Sequence, residues 1–237
     1  MKFNLLLAAS LAVLATTSAL ARDPIFVSPD QSRTFQILPT PPAADSDATK
    51  AELDELHRIE ATRTQAEVAQ AKFDDENENV FLFANVLGDK FTKDNLPVTA
   101  AFAARVRGDE GVNTDAAKTG FHRVRPYNLD KTLHPVCKIK TKDDSYPSGH
   151  ATSGYLLALT LIDMVPEKRD ALLARAEEYG HNRLICGVHY STDVPASKLL
   201  AYTIHAIMEV NPEYQKELAA AKAELRQALG LDAQAAK

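Results

Sequence analysis

From Ser148 to Gly230 the chain is punctuated for helices and for nothing else, which limits its fold more than any other feature. Ser148 is a capping residue set before an apolar run from Gly149 to about Met164. Pro166 opens a second helix to about Leu184, with Leu172, Leu173 and Ala176 inward. Gly187 interrupts it. A long apolar helix follows from about Ser191 through Ile204 to Val210, then an amphipathic one from Pro212 to Leu229, which Gly230 ends. Upstream, Leu53, Leu56, Ile59, Val68 and Ala69 share one face of a predicted helix from about Asp47 to Phe73. Glu52, Glu55, Arg58 and Arg63 populate its other faces. Asn79 to Leu87 is short and apolar with Gly88 as its stop, and Pro97 starts a helix through Val98 to Val106. Asp109-Glu110-Gly111 reads as a break before Asn113 to Val124, and residues 127–146 read as a loop. Strand alternation and internal repeats are both lacking. The expected fold is all-α, a single helical bundle-like domain over residues 46–237.

Residues 1–21 read as an export signal. Lys2 supplies the positive end, Leu5 to Ala15 the apolar stretch, and Ala19-Leu20-Ala21 the small-x-small cleavage site. That stretch is shorter than the roughly 20 residues a bilayer span needs. The expectation is a periplasmic protein whose mature chain starts at Arg22. Residues 22–45 carry Pro24, Pro29, Pro39, Pro41 and Pro42 and read as an extended arm or surface coil. No other stretch reads as a membrane helix, so no membrane insertion of the mature chain is expected. A formal net charge of -5 argues against sequence-independent nucleic-acid binding, which depends on a basic footprint. Cations clustered in such a chain suit a pocket for a small anion. The even cysteine count, Cys137 and Cys186, predicts a disulfide in an exported protein, with a chain-entropy contribution of roughly 4 kcal/mol.

Chemistry-bearing residues fall in three segments. Lys118 and Arg125 are spaced to point the same way on a helix, and Pro126 fixes the chain direction beside Arg125. An Arg fork suits two phosphate oxygens and a Lys acts as a point charge, although such a pair on one face is also what a solvated surface shows. Ser148-Gly149 at a helix start exposes backbone N–H groups where anions bind, and Ser148 alone also serves as an ordinary cap. Capping gives no reason for His150. His189 and Asp193 stand at i and i+4, so the carboxylate can accept from one imidazole nitrogen and leave the other as a fixed lone pair. His189 falls either in the helix or just before it, and Arg183 lies upstream across Gly187. A metal site built from His150, His189 and Asp193 is disfavoured because the neighbouring cations repel a divalent ion. His57, His122, His134, His181 and His205 read as surface or packed residues, with His122 the most apt to face the site.

Lys118-x6-Arg125-Pro126, Pro147-Ser148-Gly149-His150 and Arg183-x5-His189-x3-Asp193 resemble the three signature motifs of the type 2 phosphatidic acid phosphatase superfamily. Similarity to its bacterial class A non-specific acid phosphatases extends to Leu38-Pro39-Thr40-Pro41-Pro42, Ser145-Tyr146 and Ile185-Cys186-Gly187. One departure is Asn182-Arg183, where the family usually has Ser-Arg; altered oxyanion contacts or orientation, rather than lost chemistry, is the expected result. The resemblance implies a metal-independent acid phosphatase, with no cofactor, that hydrolyses small-molecule phosphate monoesters. In it His189 is the nucleophile, Asp193 holds its tautomer, and His150 is general acid and base. Lys118, Arg125, Ser148, Gly149 and Arg183 bind phosphate oxygens, and a protonated His150 favours activity below neutral pH. Rival readings are a lipid-phosphate phosphatase, a vanadate-dependent haloperoxidase-like oxidoreductase and a non-catalytic oxyanion-binding protein. A homo-oligomer is compatible with this reading, the N-terminal helix and proline arm offering an interface. The signal makes a prediction of its own: mass spectrometry of exported protein should give Arg22 as the first residue, and an intact residue 1 would contradict it.

Overall fold

The computed structural model describes residues 23–140 and 144–231 and is helical throughout, with no strand among the described residues. The export signal lies outside them. The proline arm is not a surface coil. It holds two single-turn helices, α1 (Pro29–Ser32) and α2 (Thr34–Ile37), and buries Phe26, Val27 and Leu38. Ser28 and Gln31 cap α1 reciprocally.

The helix expected over 47–73 is two helices, α3 (Asp47–Thr62) and α4 (Gln65–Glu76). Thr64 and Glu67 form a capping box, which starts a new helix where the apolar period would have continued the old one. A 3₁₀ turn (Val80–Phe83) leads into α5 (Ala84–Leu87). The next helix, α6 (Pro97–Phe121), runs straight through the expected break at Gly111. The polar residues read as a turn instead clasp the arm. Buried Asp109 accepts from the N–H groups of Ile25, Phe26 and Val27 at 2.6, 2.6 and 2.9 Å, and Asn113 Nδ2 donates to the Val27 carbonyl at 2.9 Å. Glycine in mid-helix costs only about 1 kcal/mol against alanine, so these tertiary bonds prevail.

A single turn, α7 (Pro126–Leu129), interrupts the expected loop. The remaining helices fall close to their predicted places: α8 (Gly149–Met164), α9 (Arg169–Ile185) after a 3₁₀ turn, α10 (Asp193–Met208) and α11 (Pro212–Leu229). A helix apolar on all sides must lie in the centre. That is α8, whose Tyr155, Leu156, Leu157 and Leu161 are buried with α6, α9, α10 and α11 packed around it. The Phe26 ring meets Phe102 and Tyr214 at 6.2 and 5.6 Å, which seals the arm onto this core. Cys137 and Cys186 form the expected disulfide, joining the segment after α7 to the end of α9. No helix among the described residues is long and apolar enough to cross a membrane.

The clasp has a measurable consequence. Asp109→Ala leaves three buried N–H groups without an acceptor and should lower unfolding stability by about 2–3 kcal/mol, read as a lower urea midpoint. Asp109→Asn, which keeps one acceptor oxygen, should lose less.

Candidate active site

The segments carrying Lys118, Arg125, Gly149, His150, Arg183 and His189 meet at one cavity of about 1280 Å³. Asp193 is buried behind His189 and does not line it. Lys118 and Arg125 do converge there, though not along one helix. α6 ends at Phe121, His122 adopts a left-handed conformation with φ 49°, and the chain reverses so that Arg125 caps α7. His122 also lines the cavity.

His189 lies in the turn before α10, and Asp193 is the first residue of that helix. Gly187, at φ 73°, supplies the left-handed residue that lets the chain leave α9 toward it. His189 Nδ1 donates to Asp193 Oδ2 at 3.0 Å. The same carboxylate accepts from Ser145 Oγ at 2.6 Å, from the Tyr190 N–H at 3.0 Å and from Arg123 Nη1 at 2.6 Å. Burial pushes the Asp193 carboxyl above its ordinary range, against the opposing pull of Arg123, Ser145 and Tyr190. On the opposite side of the ring, Arg125 Nη1 lies 2.9 Å from Nε2. A guanidinium only donates, so Nε2 is unprotonated and its lone pair accepts from Arg125.

The cradle cations rest on carboxylates. Arg125 Nε meets Asp144 Oδ1 at 2.8 Å, and Arg183 Nη1 meets Asp75 Oδ1 at 2.8 Å. At the start of α8 the amides of Gly149 and His150 have no intrahelical acceptor. A Cβ at Gly149 would stand 3.2 Å from Glu110 Oε1, a close approach, and 3.5 Å from Lys118 Nζ. Ser148 is the cap itself: its Oγ accepts from Ala151 N–H at 3.3 Å, its N–H donates to Ser197 Oγ at 2.8 Å, and it does not line the cavity. Gly149 and His150 line the space, and Ser148 does not.

His150 Nε2 lies 3.3 Å from the Asp75 carbonyl, which only accepts, so that nitrogen carries a proton. Its ring stacks on Tyr179 at 6.3 Å. Burial and then Arg183 push His150 well below its ordinary range, and burial and then Arg125 do the same to His189. Both rings are neutral in the empty site at pH 7, so a resting imidazolium at His150 is not available to explain an acid preference. A depressed histidine contributes stability in full above about pH 6.5 and loses it as pH falls toward the folded value.

Asn182 turns away from the cavity and donates to Asp74 Oδ2 at 2.7 Å, alongside the Arg175–Asp74 ion pair. The departure from the Ser-Arg pattern therefore changes the support beneath the site, not the expected oxyanion contacts. Tyr127 and Tyr146 bond to the Lys140 and Pro39 carbonyls and serve as packing. Among the described residues, two groups could approach a metal ion. In one, Cys137 and Cys186 are already bonded to each other beside Asp75; in the other, Asp163, His205 and Glu209 lie at the far ends of α8 and α10.

Sequence reasoning missed Arg123 and misplaced Glu52. Arg123 is buried over the Tyr190 ring at 3.9 Å and joins Asp193 to Glu52, with Nη2 2.5 Å from Glu52 Oε2. Glu52, expected on an outer face, is buried and accepts from the Thr192 N–H at 2.9 Å. The available signal was an arginine two residues before Arg125, which nothing local explains. Arg123→Ala leaves two carboxylates buried without their cation and should destabilise the fold by about 3–5 kcal/mol in urea unfolding.

Residues 98–216 match the family model described as the PAP2 superfamily. A non-specific acid phosphatase of Salmonella typhi is 33% identical over 91% of this chain and 89% of its own length. One of Providencia stuartii is 35% identical over 60% of this chain, which spans 59% of that relative. The crystal structure of a transmembrane PAP2 type phosphatidylglycerolphosphate phosphatase from Bacillus subtilis shares the fold. Its TM-score is 0.50 at 18% identity, covering 68% of this chain and 85% of that one. With helices, cavity and motif residues arranged as described, the chain belongs to the PAP2 superfamily, beside relatives named non-specific acid phosphatases.

Proposed function

We propose that the protein hydrolyses organic phosphomonoesters through a phosphohistidine at His189, without a metal ion. The observation that carries the proposal is the unprotonated His189 Nε2, its ring held by Asp193 and its lone pair contacted by Arg125, on a cavity walled by Lys118, Arg125 and Arg183. Phosphate seated there draws Arg125 from Nε2 to its own oxygens and frees the lone pair. Nε2 then forms a bond to phosphorus as the ester P–O bond breaks. The departing alkoxide takes a proton from imidazolium His150. In the second step neutral His150 accepts a proton from water, the water oxygen bonds to phosphorus, and the P–N bond breaks to restore His189.

The imidazolium has to be gained on binding. Phosphate dianion offsets the cations that depress His150, so the ring takes up a proton as substrate arrives, and lower pH assists that uptake. Activity is expected to fall toward alkaline pH. The cations read the phosphoryl group and leave the alcohol side loosely specified, which suits a broad range of esters. Action in the periplasm belongs to the same proposal and rests on the signal-like residues 1–21.

The test is para-nitrophenyl phosphate turnover in excess EDTA. Wild type should turn over, and His189→Ala should fall by roughly 10³-fold or more. An acid-quenched reaction should not retain label, whereas a base-quenched one should, as phosphohistidine requires. Failure of wild type to turn over, or full activity of the variant, would overturn the assignment.

A further inference from the structure

Glu110 lies in α6, is 4% exposed, and sits on the cavity wall. Three other carboxylates of the wall are ion-paired: Asp75 with Arg183, Asp144 with Arg125, Glu78 with Arg107. Glu110 makes no ion pair among the described residues. Its Oε1 accepts from Thr114 Oγ1 at 2.9 Å and lies 3.2 Å from the point a Cβ at Gly149 would occupy. Lys118 Nζ lies 3.5 Å from that same point. A carboxyl group and the cradle lysine therefore both stand against the same point of the turn that starts α8.

Charge decides what a carboxyl can do in that position. As a carboxylate it offsets Lys118 and repels an incoming phosphate across a poorly solvated gap. As the neutral acid it leaves the cradle's positive charge intact and offers an O–H donor. We propose that Glu110 is a phosphate-positioning residue that works as the neutral acid, donating to a phosphate oxygen beside Gly149 and, once ionised, excluding anionic substrate at alkaline pH. This deepens the phosphatase reading of the same cavity and rests on it.

The surroundings favour the acid. Burial and then Glu78 push the Glu110 carboxyl up to about 8, against Lys118, Thr114 and Arg107. Lys118 and Arg107 from its own helix and Glu78 from the segment after α4 act on it directly, and His150 from α8 and Arg183 from α9 share the cavity wall. A carboxyl raised in this way is neutral below that value and charged above it, so the donor is present through the acid range and lost as pH rises.

The experiment compares the KM for para-nitrophenyl phosphate at pH 6 and pH 9 in wild type, Glu110→Gln and Thr114→Val. Inorganic phosphate affinity is measured by calorimetry on the same proteins. The substrate's own titration is common to all three and cancels in the comparison. Wild-type KM should rise about tenfold more across this range than that of Glu110→Gln, which keeps a donor and cannot ionise. Thr114→Val removes a bond that favours the charged form and should move the rise to higher pH, an effect a merely structural role would not produce. Phosphate affinity should follow the same pattern. A Glu110→Gln profile that superimposes on wild type in both measurements overturns the proposal. If that variant does not fold, an unshifted profile in Thr114→Val overturns it instead. Absence of wild-type turnover would defeat the phosphatase reading, while the calorimetric profiles would still decide the role of Glu110.

Discussion

The position of His189 depends on a buried run of alternating charge: Glu52, Arg123 and Asp193. Each member is expensive to bury alone and tolerable beside the next, so the three elements that supply them are held in one arrangement. Glu52 comes from α3, Arg123 from the segment after α6, and Asp193 from the start of α10. Glu52 also accepts from the Thr192 backbone, fixing the first turn of α10 directly. The ring orientation is therefore inherited from helices distant in sequence and is not a local property of the His189-x3-Asp193 spacing.

The cavity's arginines follow a related logic. Arg125 and Arg183 are both buried, and Asp144 and Asp75 each supply one of them with a counter-charge. Asp74, next to Asp75, faces the other way and ties the end of α4 to Arg175 and Asn182 of α9. Two adjacent aspartates thus do different tasks, one anchoring helix to helix and the other pairing with a cation of the cavity wall. The Cys137–Cys186 bridge closes the same region, linking the chain after α7 to the residue that precedes the Gly187 turn.

Much of this was legible in the sequence, for identifiable reasons. Helix class and most ends from Gly149 onward follow from apolar period and from caps that act within a few residues. Six of the residues that line the cavity were picked out beforehand because phosphate chemistry restricts the residue types that can serve. What escaped was set by tertiary contact. Asp109 and Asn113 look like a turn until the arm they bind is in place, and Thr64 ended a helix whose apolar pattern continued past it. Lys118 and Arg125 do meet, but through a chain reversal at His122 and not through the helical spacing that predicted it. Glu52, Arg123 and Glu110 were invisible because charged side chains are usually solvated, and only the fold reveals which of them are enclosed.

The contact between Arg125 and His189 Nε2 carries a consequence for chemoselectivity. In the empty site the lone pair is occupied by a hydrogen-bond donor. On the proposed mechanism, what removes that donor is a stronger anionic acceptor. An uncharged electrophile, such as a carboxylic ester or a phosphate triester, brings no such acceptor and meets a nucleophile that stays masked. Discrimination against such compounds then needs no steric filter on the leaving-group side. The guanidinium that recognises the phosphoryl oxygens would also unmask the atom that attacks them, so recognition and reactivity are one event.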